Sequence, residues 1–106
     1  MENNTDRPTR ELEFLRKQID KIDSKMVEFL ARRKKMTTKI GKIKAKLDLP
    51  SIDVQREENQ FKQLKQKALL VGLDSEFAIS VLKFIIEDTV KSHNLIKEQQ
   101  NDKPVE

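Results

Sequence analysis

The sequence predicts an all-α fold with three helices per chain, one very long N-terminal helix and two shorter ones, assembled as an interlocked homodimeric bundle. Two observations carry this prediction. Apolar residues recur with heptad spacing over long stretches, and only two glycines and three prolines interrupt the 106 residues. Charged residues make up 38% of the chain and hydrophobic residues 36%, a balance typical of long, solvated helices.

The first helix is expected from about residue 9 to residue 47, with Thr9 as its N-cap. Its length is on the order of 58 Å, whereas a compact domain of this size has a radius of gyration near 13 Å. A second copy must therefore cover part of its apolar seam, which predicts a dimer. The seam consists of Leu12, Leu15, Ile19, Ile22, Met26, Phe29, Arg33, Met36, Ile40, Ile43 and Leu47.

The second helix follows a break at Pro50, which cannot continue a helix. Ser51 or Asp53 is expected to cap it, and Gly72 is expected to end it after Val71. Its seam is Val54, Glu57, Phe61, Leu64, Ala68 and Val71.

The third helix is expected from about residue 75 to residue 99, with Asp74 as its cap. The polar ends of the chain, residues 1–8 and 100–106, are expected to be disordered, so the helical domain spans residues 9–99. The stripe of the third helix is Ala78, Leu82, Ile85, Thr89, His93 and Ile96, with support from Phe77, Val81 and Ile86.

The composition excludes several classes of protein. The chain has no cysteine and one histidine, His93, so disulfides, cysteine zinc sites and histidine metal clusters are excluded. It has neither an apolar secretory signal nor a membrane-length apolar run, which favours a cytoplasmic protein. The net charge of +4 permits an anionic partner, but no aromatic platform for nucleic-acid bases is visible.

Each predicted helix carries a polar interruption in its apolar face: Arg33 in the first, Glu57 in the second, and Thr89 with His93 in the third. An arginine cannot lose its proton on burial, so Arg33 requires an anion. Lys44 lies about 20° around the helix from Arg33 and roughly 16 Å along it. If the faces share one core, the interruptions form a cation-rich cavity suited to a small molecule with two carboxylates and a hydroxyl.

Five segments match a known family in order and spacing, without a gap between them. The segments are Leu15-Arg16-Lys17-Gln18-Ile19-Asp20 with Ile22-Asp23, Leu30-Ala31-Arg32-Arg33, Ile40-Gly41-Lys42-Ile43-Lys44, Asp53-Val54-Gln55-Arg56-Glu57, and Ile85-Ile86-Glu87-Asp88-Thr89. With these segments the sequence from roughly Leu12 to Gln99 resembles the small, all-helical class of chorismate mutases, in its stand-alone, monofunctional form.

The resemblance implies an interlocked dimer with two active sites that converts chorismate to prephenate, a step toward phenylalanine and tyrosine. This intramolecular rearrangement requires no metal or cofactor. By position, Arg16 would reach a substrate carboxylate from the other subunit, and Arg33 would bind a carboxylate within its own subunit. Lys44 would contact the ether oxygen and a carboxylate.

The remaining site residues come from the second and third helices. The resemblance implies that Glu57 accepts the ring hydroxyl, with Asp53 and Arg56 on the same side, and that Thr89 touches a carboxylate. His93 departs from the family, which often has a glutamine that donates to the ether oxygen. We hypothesise that His93 replaces this donor, which predicts a rate that depends on pH near neutrality.

Three alternative functions stay open from the sequence. Isochorismate-pyruvate lyase and a mutase of amino-substituted chorismate (aminodeoxychorismate) would use much the same cationic pocket. A non-enzymatic helical oligomerisation module would use Arg33 only to set register or pairing. The length of the chain leaves no room for a fused second enzyme or regulatory domain, which favours the stand-alone form.

Overall fold

The computed structural model describes residues 6–101, and the three predicted helices are all present in this range. They are α1 (Asp6–Lys46), α2 (Val54–Val71) and α3 (Ser75–Asn101). The rest of the predicted disordered ends, residues 1–5 and 102–106, lies outside the described residues.

α1 begins three residues earlier than predicted, so Thr9 lies within the helix and is not its N-cap. Asp6 stands in the first turn, where the positive end of the helix dipole favours a carboxylate. Pro8 also lies at the start of α1. A proline is tolerated there because the first backbone N–H groups of a helix have no carbonyl partner within it, so the N–H that proline lacks is not missed. Residues 6–8, and residues 100–101 at the end of α3, are therefore helical where disorder was expected.

α1 ends before Pro50, because its backbone turns into a left-handed conformation that caps the helix. Asp48 adopts a left-handed conformation with φ of 53°. The Leu49 N–H donates to the Lys44 carbonyl at 2.7 Å, and the Asp48 N–H donates to the Ala45 carbonyl at 3.2 Å. These two bonds are those of a Schellman cap, in which glycine is the usual left-handed residue. The predicted stop at Pro50 is thus preceded by a cap that Asp48 forms.

The predicted caps of the shorter helices are confirmed. The Asp53 side chain accepts from the Arg56 N–H at 3.0 Å, and the Asp74 side chain accepts from the Glu76 N–H at 3.1 Å. Gly72 ends α2 in a left-handed conformation with φ of 72°. Local sequence signals therefore set both starts and the end of α2.

Two compact units divide the chain, Met1–Lys35 and Met36–Glu106. Within the described residues, the first unit holds the N-terminal part of α1. The second unit holds the rest of α1 together with α2 and α3, and α2 packs against α3. The buried residues lie in this second unit: Gly41, Ala45, Ala68, Ala78, Ile86 and His93.

Most of the predicted seam is exposed in the single chain. Ile19 is 53% exposed, Ile22 60% and Phe29 60%. Phe77 and Val81, expected to support the apolar stripe of α3, are also exposed, because nothing among residues 6–101 covers their face. Exposure of this many large apolar side chains is unusual for a monomer.

No helix between residues 6 and 101 combines the length and apolar character needed to cross a membrane.

Candidate active site

Lys44 is fixed at both ends by the segment that follows α1. Its carbonyl accepts from the Leu49 N–H at 2.7 Å, within the helix cap. Its ammonium donates to the Ser51 carbonyl at 3.3 Å, and the side chain is half-buried. The cap thus holds the backbone of Lys44 while the Ser51 oxygen orients its charge.

The three predicted residues of α2 lie in its first turn and at its cap. Asp53 is exposed, and one of its carboxylate oxygens is engaged as the N-cap of the helix. Arg56 contributes its backbone N–H to that cap, and its side chain is exposed. Glu57 is half-buried one residue further on. Asp53 therefore has a structural role that places Glu57 at the start of the helix.

Thr89 is half-buried on α3, and its hydroxyl donates to the Ile85 carbonyl at 3.1 Å. This bond to its own helix is common for a threonine on an apolar face. A contact from Thr89 to a substrate carboxylate would require the hydroxyl proton to turn away from Ile85.

His93 is buried, with 4% of its surface exposed, and its ring lies against α1. Its Nε2 is 2.8 Å from the Thr37 carbonyl oxygen. A carbonyl oxygen can only accept, so Nε2 carries the proton of the neutral ring. Donation to an ether oxygen, as expected from the sequence, would then require a second proton on Nδ1.

Gly41 provides the space for this ring. A Cβ atom at position 41 would lie 2.6 Å from His93 Cδ2 and 2.9 Å from Ile96 Cδ1, so α3 approaches α1 where α1 has no side chain. In the sequence, Gly41 was recognised only as part of a motif. The available signal was a glycine inside a long helix, where it costs about 1 kcal/mol relative to alanine and usually has a packing reason.

Arg16 and Arg33 lie on the N-terminal unit. Arg16 is exposed and Arg33 is half-buried, and Arg33 takes part in an interaction with its surroundings. Burial of Arg33 in a closed core and a contact between Arg16 and a second subunit both require a dimer. Both stay predictions.

The second unit also contains a groove. A groove of about 630 Å³ is lined by Lys42, Lys46, Ile96, Gln99 and Gln100, none of which was predicted to bind substrate. Within residues 6–101, no three acidic, histidine or cysteine side chains are grouped so that they could hold a metal ion.

Comparison with known proteins covers most of the chain. The sequence profile of the family described as Chorismate mutase type II matches residues 15–94. T-protein of Enterobacter agglomerans is 27% identical over 84 residues, which are 79% of this chain and 22% of T-protein. The bifunctional chorismate mutase/prephenate dehydratase of Escherichia coli (strain K12) is 28% identical over 89 residues, 84% of this chain and 23% of that protein.

A shorter relative matches over most of its own length. The chorismate mutase of Methanocaldococcus jannaschii is 26% identical over 88 residues, 82% of this chain and 89% of that protein. The chain therefore spans less than a quarter of the two longer relatives and nearly all of the shorter one. All of the predicted site residues, from Arg16 to His93, fall within the matched residues 15–94. The chain belongs to the chorismate mutase type II family.

Proposed function

We propose that this chain catalyses the intramolecular rearrangement of chorismate to prephenate in the biosynthesis of phenylalanine and tyrosine. The observation that carries the proposal is the family match over residues 15–94, which includes each predicted site residue. The Methanocaldococcus jannaschii relative, which the chain covers almost completely, bears the name chorismate mutase.

The rearrangement requires the protein to hold a compact conformer of chorismate and to stabilise charge on the breaking ether oxygen. No nucleophile or general base is needed, so positioning and electrostatics supply the catalysis. We assign the ether oxygen to Lys44 and a substrate carboxylate to Arg33. The engagement of the Lys44 ammonium with the Ser51 carbonyl supports this assignment, because an oxygen of the substrate can take the place of that carbonyl.

The remaining assignments follow the family resemblance. Glu57 would accept from the ring hydroxyl, with Asp53 and Arg56 on the same side of the substrate. Thr89 would face a carboxylate, and His93 would lie at the same site. The half-buried position of Glu57 and the buried position of His93 support their place in a site that excludes water.

A homodimer completes the proposed site, with Arg16 reaching the substrate from the other subunit. The exposed seam of α1 supports this part, since a second copy would bury its apolar surface, which stabilises by roughly 25 cal/mol per Å². A location in the cytoplasm stays a prediction from the sequence.

The direct test is an assay of the purified protein with three substrates. Chorismate should give prephenate, whereas release of pyruvate from isochorismate would identify the lyase alternative. Turnover of 4-amino-4-deoxychorismate in preference to chorismate would identify the amino-substituted alternative. Folded, dimeric protein without any of these activities would contradict the proposal and favour a non-enzymatic helical module.

A further inference from the structure

The last turn of α3 contacts the segment that ends α1 at two points. The side-chain amide of Gln100 donates from Nε2 to the Ala45 carbonyl oxygen at 3.1 Å. The ammonium of Lys97 lies 3.3 Å from Oδ1 of Asp48. Residues 97 and 100 are three positions apart, so they lie on the same face of α3. One face of α3 therefore holds both a carbonyl and a side chain at the end of α1.

The two residues that α3 contacts form the cap of α1. The Asp48 N–H donates to the Ala45 carbonyl at 3.2 Å, and Asp48 has the left-handed conformation on which the cap depends. The Ala45 carbonyl thus accepts two hydrogen bonds, one from the cap and one from Gln100. A left-handed conformation is unfavourable for a residue other than glycine and persists only where its surroundings support it. The contacts from α3 provide this support.

The same cap orients the lysine of the proposed site. The Leu49 N–H donates to the Lys44 carbonyl at 2.7 Å, so the chain turns back toward Lys44 as it leaves the helix. Two residues later, the Ser51 carbonyl accepts from the Lys44 ammonium at 3.3 Å. Without the cap, Ser51 would move away and the ammonium would sample several rotamers. The orientation of the Lys44 charge therefore depends on the conformation of Asp48.

The cap of α1 is also linked to the start of α2. Only residues 49–52 lie between Asp48 and Asp53, the N-cap of α2. The Asp53 side chain accepts from the Arg56 N–H at 3.0 Å, and its carbonyl accepts from the Glu57 N–H at 3.0 Å. Because the connection is short, a change in the cap of α1 would also displace the first turn of α2.

We propose that Gln100 and Lys97 are positioning residues for the rearrangement, which act through the cap of α1 on the orientation of the Lys44 ammonium. This inference rests on the proposed function. Both residues lie beyond the matched residues 15–94, so the family resemblance does not predict them. Residue 100 was in addition expected to be disordered.

The two contacts differ in their surroundings. The hydrogen bond from Gln100 to Ala45 ends on a buried residue. The Asp48 side chain is 88% exposed, so dissolved salt screens its ion pair with Lys97. We therefore expect Gln100 to contribute more than Lys97.

The kinetics of Gln100→Met test the positioning role. Methionine is similar in length to glutamine and has no donor, so the Ala45 carbonyl loses one of its two bonds. We expect kcat to fall about three- to tenfold, the change that one hydrogen bond makes in the population of the closed cap, and KM to change less than about threefold. The matched control is Gln99→Met on the adjacent exposed residue, which should keep kcat within about 1.5-fold of the wild type. An unchanged kcat in Gln100→Met, or an equally impaired control, would overturn the proposal.

A double-mutant cycle separates the positioning of Lys44 from a general structural effect. In a Lys44→Met background there is no ammonium to orient, so the addition of Gln100→Met should change kcat by less than about 1.5-fold. A general loss of structure would lower kcat by the same factor in both backgrounds. Equal factors would therefore contradict the proposal.

Hydrogen exchange of the Leu49 amide reports on the cap in the absence of substrate. This amide is bonded within the cap of α1, so its exchange with solvent measures how often the cap opens. Gln100→Met should speed its exchange about three- to tenfold. The Leu73 amide, which donates to the Ala68 carbonyl at 2.9 Å in the cap of α2, is the internal control and should not change. Unchanged exchange at Leu49, or an equal rise at both amides, would show that Gln100 does not hold the cap.

The contribution of Lys97 is measured with the same amide. Lys97→Met should speed the exchange of Leu49 about twofold at low ionic strength and leave it unchanged in 1 M NaCl, because salt screens the exposed ion pair. No effect at low ionic strength would remove Lys97 from the proposal.

Exchange and activity together distinguish this proposal from the proposed function. Conversion of chorismate by the wild type, with unchanged Leu49 exchange in Gln100→Met, would refute the positioning role and leave the proposed function intact. A wild-type protein that leaves chorismate unchanged but shows the Leu49 response would refute the proposed function and retain the structural link from α3 to Lys44.

Discussion

Gly41 and His93 are complementary in shape: a Cβ atom on the glycine would lie 2.6 Å from Cδ2 of the imidazole. The contact joins α1 to α3 across 52 positions of sequence and is reinforced by the bond from His93 Nε2 to the Thr37 carbonyl at 2.8 Å. The family resemblance predicts that residue 93 is a site residue. The contact with Gly41 explains why the histidine at this position has a defined orientation.

The first prediction concerns the coupling of this pair. Gly41→Ala should lower the free energy of unfolding by about 1 kcal/mol, because overpacking of about 1–3 kcal/mol exceeds the gain of about 1 kcal/mol in helix propensity. In a His93→Ala background the same change should be neutral or stabilise by up to about 1 kcal/mol, since the imidazole is gone and only the flexible end of Ile96, 2.9 Å from the added Cβ, has to shift. Urea unfolding of the four proteins at fixed concentration measures both signs. Equal effects in the two backgrounds would contradict the contact.

The second prediction separates the charge of Lys44 from its structural contact. Lys44→Met should lower kcat by about 10²- to 10³-fold, as expected when a donor to developing charge is removed. It should change stability by no more than about 1 kcal/mol, the value of one hydrogen bond to Ser51. The matched control is Lys42→Met, which removes the same charge two residues away on an exposed position. An active Lys44→Met enzyme, or an equally impaired control, would count against the assignment.

The third prediction tests the shared site. Arg16→Ala and Arg33→Ala homodimers should each be nearly inactive. After subunit exchange in an equal mixture, about half of the dimers carry one intact site, so about a quarter of the wild-type activity should return. Activity is measured before and after exchange, with heterodimers verified by mass spectrometry. Verified heterodimers without recovered activity would refute a contribution of Arg16 across the interface.

The fourth prediction concerns the exposed seam. Met26→Glu places a charge in the middle of the seam, where a dimer would bury it without a partner at a cost of several kcal/mol. Sedimentation should show a dimer for the wild type and a monomer for this variant, with loss of activity. Ser24→Glu adds the same charge off the seam and should remain dimeric. A dimeric Met26→Glu protein would show that α1 does not form the interface.

The fifth prediction compares two left-handed caps. Gly72→Ala should destabilise by about 1 kcal/mol through backbone strain alone, because no atom lies within 4 Å of the added Cβ. Asp48→Gly should stabilise by up to about 1 kcal/mol, since it relieves the same strain at φ of 53°. The exposed ion pair between Lys97 and Asp48, at 3.3 Å, offsets only a small part of this gain. Thermal unfolding of both variants gives the two shifts, and shifts of the same sign would contradict the strain argument.

Local signals allowed much of the fold to be predicted. The starts of α2 and α3 follow from Asp53 and Asp74, and the end of α2 follows from Gly72, because each of these residues acts on backbone groups within a few positions of itself. The end of α1 was less predictable, since Asp48 adopts a conformation that its residue type does not favour.

The three helices, the heptad seam of α1 and the membership of the family can be recognised in the sequence, because periodicity, caps and motif order are properties of neighbouring residues. Three features of the site become visible only in the folded chain: Nε2 of His93 carries the proton, Gly41 makes room for the ring, and Lys44 is held by Ser51. The contact between Thr37 and His93 joins residues 56 positions apart, and a tautomer depends on which atom packing brings within hydrogen-bond distance. Residue type determines which chemical groups can take part in a site, whereas packing determines which atoms of those groups face it.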